Sequence, residues 1–205
     1  MLKAVIFDWG GVLMRTVDAS GRRKWEQKLG LPLYTVDRAV HGSRSWKQAQ
    51  SGIISDAAYW ADVAAQLGLN DEELAEFRQD YFGGDRLDPQ MVQFIRELRP
   101  RFTTALLSNA SPRLRDLLEE LDVTEAFDEI VISGEVGVQK PDPAIYRILL
   151  ERLGLAPEET IFVDDFRENI ERAQQLGMQT LHFRATMDWR GELSRILGWD
   201  ADLCR

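Results

Sequence analysis

The sequence predicts an α/β protein: a Rossmann-like parallel sheet with helices on both faces and an inserted helical cap. Three observations carry this expectation. Short, unbroken apolar runs recur at residues 4–7, 103–107, 130–132, 161–163 and 180–183, as expected of strands buried on both faces of a parallel sheet. Helical patterns separate the later runs, which gives a βα alternation. Residues from about 14 to 87 break that alternation and read as helices only.

The first run, Ala4-Val5-Ile6-Phe7, stops at Asp8-Trp9-Gly10-Gly11. In the helical stretch Ala57, Trp60, Ala64 and Leu67 share one face, and Leu74, Phe77 and Tyr81 another. The stretch returns to the body through Gly83-Gly84, and two tethers with glycines suit a lid. The expected division is therefore residues 1–13 and 88–205 as the α/β core and 14–87 as the cap. Asp88-Pro89 opens a helix with Met91, Ile95 and Leu98 on one face; Ser111-Pro112 opens another with Leu114, Leu117, Leu118 and Leu121. Asp142-Pro143 opens a third, with Ile145, Ile148, Leu149 and Leu153 at helical spacing and Gly154 as its stop. A fourth runs from about Arg167 to Gly177, and no internal repeat is evident.

Composition narrows the function. The chain has 205 residues, 44% hydrophobic and 29% charged, which is ordinary globular usage. Lys and Arg total 25 against 34 Asp and Glu, a net charge of -9. No basic surplus exists to neutralise a phosphate backbone, so nucleic acid is not an expected partner. The single cysteine, Cys204, allows no intrachain disulfide and fits a reducing compartment. The apolar run at the N-terminus is too short for a signal peptide, and no stretch approaches the roughly 18 apolar residues of a membrane span. A cytoplasmic protein with no membrane partner is expected.

Several polar residues fall just beyond predicted strands: Asp8, Ser108-Asn109 and Asp164-Asp165, with Lys140 in the loop before the Asp142 helix. Ligands bind at the carboxyl ends of strands in open parallel sheets. Singly, each has a plain structural reading: Asp8 capping a turn, Lys140 a solvated charge, Asp165 the N-cap of the next helix. Together they converge if the strands are adjacent, and like carboxylates in one cleft repel unless protons or a cation compensate. His41 and His182 lie far apart in the chain, so oxygen ligation of Mg²⁺ is favoured over zinc. Lys140, the Ser108 hydroxyl and nearby backbone N–H groups suit an anion, and the whole suits a phosphoryl group.

The segments VIFDWGGVL, ALLSNASP, GVQKPDPAIY and IFVDDFRENI resemble the four ordered motifs of the haloacid dehalogenase superfamily, in its phosphatase branch. The resemblance implies Asp8 as a nucleophile that forms an aspartyl-phosphate, with Ser108 and Lys140 gripping phosphate. Asn109, Gly10 and Gly11 would complete the substrate cradle. Asp8, the Gly10 carbonyl and Asp165 would hold Mg²⁺, with Asp164 assisting directly or through water. The segment QAQSGIISDAAYW is similar to caps in the epoxide-hydrolase N-terminal phosphatase group. The dehalogenating branch usually lacks the paired aspartates, so Asp164-Asp165 argues for phosphate over halide. The implied activity is Mg²⁺-dependent hydrolysis of a small phosphorylated metabolite, because a cap tethered on both sides excludes bulky polymers.

One departure matters: the family's general acid/base Asp, two residues after the nucleophile, is here Gly10, and Met14 stands where many relatives have Asp. General acid–base help is typically worth about 10²–10⁴-fold. Good leaving groups, such as a sugar 1-phosphate, should suffer least from its loss; alternatively His41, Asp18 or a water on the metal supplies the proton. The competing reading is a non-catalytic phosphate-binding or regulatory protein. Trp25, Trp46, Tyr59 and Trp60 read as pocket or core, with core favoured for Trp60. His41 and Arg44 are pocket candidates, Arg22-Arg23-Lys24 a solvated charge run, and His182 structural.

Overall fold

An apolar run with no polar face needs cover on both sides, and Ala4–Phe7 (β1) has it at the centre of a five-stranded sheet. In the computed structural model, which describes residues 1–198, the chain continues through β2 (Met14–Thr16) and five helices. These are α1 (Ser20–Lys28), α2 (Thr35–His41), α3 (Arg44–Gln50), α4 (Asp56–Leu67) and α5 (Asp71–Phe82). It returns through β3 (Asp85–Leu87) to α6 (Pro89–Leu98), β4 (Thr103–Ser108), α7 (Arg113–Glu120), β5 (Glu129–Ile132) and the one-turn α8 (Ser133–Val136). There follow α9 (Pro143–Leu153), β6 (Thr160–Asp164), α10 (Arg167–Gln175), β7 (Gln179–His182) and α11 (Trp189–Leu197). Cys204 lies outside the described residues.

The main sheet has the order β5-β4-β1-β6-β7, with every pair parallel. The chain leaves β1 towards β4 on one side and comes back to β6 on the other, so the switch in strand order falls at β1. Phe7 stands beside Leu106 and Val163, and the carboxyl ends of β1, β4 and β6 therefore open into one crevice. One face packs Met91, Phe94, Ile95 and Leu98 of α6 with Leu114, Leu118 and Leu193; the other packs Ile145, Tyr146 and Leu149 of α9 with Ile170 and Ala173. Asp88 caps α6 by accepting from the N–H groups of Gln90 and Met91, and Asp142 caps α9 by accepting from Ala144. Ser111 does not repeat this. Pro112 precedes α7 with no side-chain cap, and the Ser111 hydroxyl instead reaches Asp56 at 3.4 Å.

The stretch between β1 and α6 is not helical throughout. β2 and β3 pair antiparallel, Met14 against Leu87 and Thr16 against Asp85, and form the neck between the sheet and the helices. Three-residue strands with mixed burial carry too little periodicity to be read from sequence. The neck glycines are not loose hinges: a Cβ on Gly84 would lie 1.7 Å from the Asp18 carbonyl oxygen, while Val17 N–H donates to the Gly84 carbonyl at 2.9 Å. Close backbone approach explains that glycine.

The five helices have their own core of Trp25, Val36, Val40, Tyr59, Trp60, Val63, Phe77 and Tyr81. The buried stripe of α4 is Tyr59-Trp60-Val63, whereas Ala57 is exposed, so the buried face is rotated from the expected one. Arg22 also departs from its reading as a solvated charge: its side chain is 11% exposed and binds Asp37 (2.9 Å), Asp85 (3.0 Å) and Thr16 (2.7 Å) while lying over the Tyr81 ring. It ties the neck to three helices. A local charge run in sequence cannot reveal partners so distant in the chain.

Candidate active site

Asp8 directly follows β1, Asp164 ends β6, and Lys140 enters from the loop between α8 and α9. All three are buried. Lys140 Nζ lies 2.8 Å from Asp8 Oδ1 and 2.7 Å from Asp164 Oδ2, so one ammonium bridges two carboxylates. Asp8 Oδ1 also accepts from the Trp9 N–H at 2.7 Å, and Oδ2 accepts from no described residue. Burial pushes the Asp8 carboxyl up to about 7, with Lys140 opposing and Asp164 adding to the rise. Burial by itself would lower Lys140, but Asp8 and Asp164 hold it above its ordinary value.

The paired aspartates have different duties. Asp164 is fully engaged: Oδ1 accepts from Phe166 N–H (2.7 Å) and Asn169 Nδ2 (3.1 Å), and Oδ2 from Lys140 and Asn169 Nδ2 (3.0 Å). Asp165 is the reverse, because its Oδ1 is buried without a partner. It does not cap α10, whose first turn has no side-chain cap. Its carboxylate rests on Gly11, where a Cβ would lie 2.1 Å from Oδ2. Burial and the neighbouring Asp164 raise its pKa.

Oxygens of Asp8, Asp164 and Asp165 all lie within 4.8 Å of one another. Three carboxylates against one lysine leave two uncompensated negative charges in a buried pocket, a costly state. A hard divalent cation cancels that charge, and the orphaned Asp165 Oδ1 offers it a ligand. The donor set, all oxygen with no Cys or His in the cluster, fits Mg²⁺ better than zinc.

Ser108, 3% exposed, ends β4 beside this group. The Asn109 side chain is engaged with Lys140, donating through Nδ2 to its carbonyl and accepting from its N–H through Oδ1, both at 2.8 Å. It fixes the Lys140 loop, and its backbone carbonyl accepts from Gln50 Nε2 at 2.8 Å. A Cβ at Gly10 would meet nothing within 4 Å, so the position of the missing acid is open space.

Asn169 was not evident in the sequence, although its spacing from Asp164, one turn into the following helix, is the signal that could have found it. His182 closes β7 and contacts the Asp165 carbonyl through Nε2 at 3.0 Å, so it supports the metal-side loop. Trp25, Tyr59 and Trp60 are core; Trp46 is half-buried. The His41 ring packs against Trp46 and Tyr81 with one side open; burial and then Arg22 push its pKa down to about 4. Asp18 is exposed and accepts from Ser20, and Arg44 is exposed at the start of α3.

Residues 2–177 match the haloacid dehalogenase-like hydrolase family. The chain is 30% identical to the sesquiterpene phosphatase astK of Aspergillus oryzae, over 96% of this chain and 97% of the relative. It is 26% identical to a D-ribitol-5-phosphate phosphatase of Bacteroides thetaiotaomicron, over 96% and 99%. The fold is that of a haloacid dehalogenase family enzyme from the same bacterium, solved with magnesium and inorganic phosphate. That likeness has a TM-score of 0.78 at 22% identity and covers 94% of this chain and 99% of the other.

Proposed function

The chain belongs to the haloacid dehalogenase-like hydrolase family, and from that premise we propose that it is a Mg²⁺-dependent phosphatase of small phosphorylated metabolites. One observation carries the reading: Asp8 is held by Lys140 through Oδ1 while Oδ2 is unengaged, beside an orphaned Asp165 oxygen. The two relatives named above are phosphatases of small molecules, and the solved relative binds magnesium with phosphate. Residues 1–13 and 88–205 act as the catalytic core and 14–87 as the cap that limits access.

Asp8, Asp165 and the Gly10 carbonyl would hold Mg²⁺, and Asp164 assists by fixing Lys140. When bound, the cation cancels carboxylate charge and polarises the phosphoryl oxygens. Lys140 and Ser108 grip the phosphoryl group, with the Gly10-Gly11 backbone leaving room for it. Asp8 Oδ2 then attacks phosphorus, forming a P–O bond to the aspartyl group while the ester P–O bond breaks and its electron pair leaves with the alkoxide. Water attacks phosphorus in the second step, releasing inorganic phosphate and free Asp8.

Gly10 bears on the leaving oxygen. No side chain there donates a proton, and at pH 7 His41 is neutral and Asp18, lowered by the Ser20 N–H and hydroxyl, is ionised, so neither is a ready acid. Substrates whose leaving oxygen tolerates charge, such as sugar 1-phosphates, acyl or aryl phosphates, are therefore preferred to simple alkyl esters. A screen over phosphorylated metabolites with Mg²⁺ and with chelator tests the proposal, and Mg²⁺-dependent phosphate release is expected. Inactivity across the panel, with phosphate still bound, supports the non-catalytic binding protein that the Gly10 substitution also allows.

A further inference from the structure

The helices and the phosphate-gripping loops are joined by a closed ring of hydrogen bonds. Gln139, the residue before Lys140, donates through its side-chain amide to the Lys47 carbonyl (2.6 Å) and to the Ser51 hydroxyl (2.5 Å). Gln50, adjacent to Ser51, donates to the Asn109 carbonyl at 2.8 Å. Asn109 closes the circuit by its two bonds to the Lys140 peptide. Gly52 packs so closely that a Cβ there would lie 2.3 Å from the Gly134 carbonyl oxygen, and Ser111 reaches Asp56 at 3.4 Å. The end of α3 and the start of α4 thus sit on the backbone segments that carry Ser108-Asn109 and Lys140.

We propose that Gln50 and Gln139 are positioning residues that couple docking of the helical module to the grip on phosphate; this rests on the phosphate site proposed above. Neither side chain needs to touch the ligand. Each donates across the boundary to a backbone or hydroxyl acceptor, so each bond forms only when both loops hold the spacing that Asn109 and Lys140 impose. A phosphoryl group that orders Ser108 and Lys140 fixes the acceptor and donor positions on the core side, which favours the docked helices. By linkage, docked helices favour phosphate by the same factor. Gln, rather than a charged residue, suits this place, because an ammonium or carboxylate there would alter the field at the anion.

The test uses Gln50→Met and Gln139→Met in the full chain, which remove the donors without adding charge, and inorganic phosphate in Mg²⁺ buffer as the probe. Hydrogen exchange is followed at residues 44–56 and at 108–110 with 139–140. In wild type, phosphate is expected to slow exchange in both regions. In either variant, phosphate should still slow the core loops, while its effect at 44–56 falls about 2- to 12-fold per lost bond. The loss in kcat/KM should come mainly through KM. If phosphate protects 44–56 to the wild-type extent in both variants, or KM is unchanged, Gln50 and Gln139 are not coupling residues. No protection in either region of wild type would instead defeat the phosphate-site reading, and this proposal with it.

Discussion

Replacing Asp8 by asparagine should make the metal-free protein more stable at neutral pH while abolishing turnover. Asp8 is 6% exposed, and burial raises its carboxyl from 3.8 to about 7. A folded-state pKa above the unfolded one means that the native state binds the proton more tightly. Stability from this group is therefore present at low pH and falls as pH rises from about 4 to about 7, with the full cost above 7. At 1.36 kcal/mol per pH unit, the cost reaches about 4 kcal/mol as an upper bound. The asparagine side chain would keep an oxygen for Lys140 but lose the ionic attraction, so roughly half should be recovered, about 2 kcal/mol or 4–8 °C in Tm for a chain of this size. Calorimetry at pH 7.5 with chelator is the assay. The gain should shrink at pH 5, where wild-type Asp8 is largely protonated, and shrink again in Mg²⁺, which relieves the wild type. A variant no more stable than wild type at pH 7.5 without metal refutes the reasoning that Asp8 is a charge held at a cost.

Asp165→Asn should reduce the rise in Tm that millimolar Mg²⁺ gives wild type, because the orphaned Oδ1 loses its charge; an undiminished rise removes Asp165 from the metal site. Lys140→Ala leaves Asp8 and Asp164 buried without their shared cation and should destabilise by about 3–5 kcal/mol, read from urea unfolding; a loss under about 1 kcal/mol contradicts the bridge. Gly10→Asp has room for its Cβ, so the variant should fold and gain about 10²-fold or more on alkyl phosphates while changing little on aryl phosphates. Equal gains on both classes would show that leaving-group charge is not what Gly10 controls.

The sheet and the polar constellation at its strand ends were legible because they depend on local signals. Apolar runs of three or four residues followed by Asp8 or Asp164-Asp165 announce a buried strand and its carboxyl end within a few positions. The neck strands were not legible, since Met14–Thr16 and Asp85–Leu87 find each other only across the whole helical stretch. Arg22 and Gln139 escaped for the same reason: their partners are distant in the chain, and their neighbours in sequence suggest a surface. The division of labour between Asp164 and Asp165 was likewise hidden. It depends on Asn169 and the Phe166 N–H engaging one carboxylate, while the other rests on Gly11.

In this mechanism Asp8 takes the phosphoryl group before water does. The phosphorothioate analogue of an active ester identified by the screen, made chiral at phosphorus with two oxygen isotopes and hydrolysed in water carrying the third, reports this directly. Two successive in-line displacements, one by Asp8 and one by water, predict inorganic thiophosphate with retained configuration. Inverted thiophosphate would mean that water attacks the ester in a single step, and Asp8 would then not be the nucleophile.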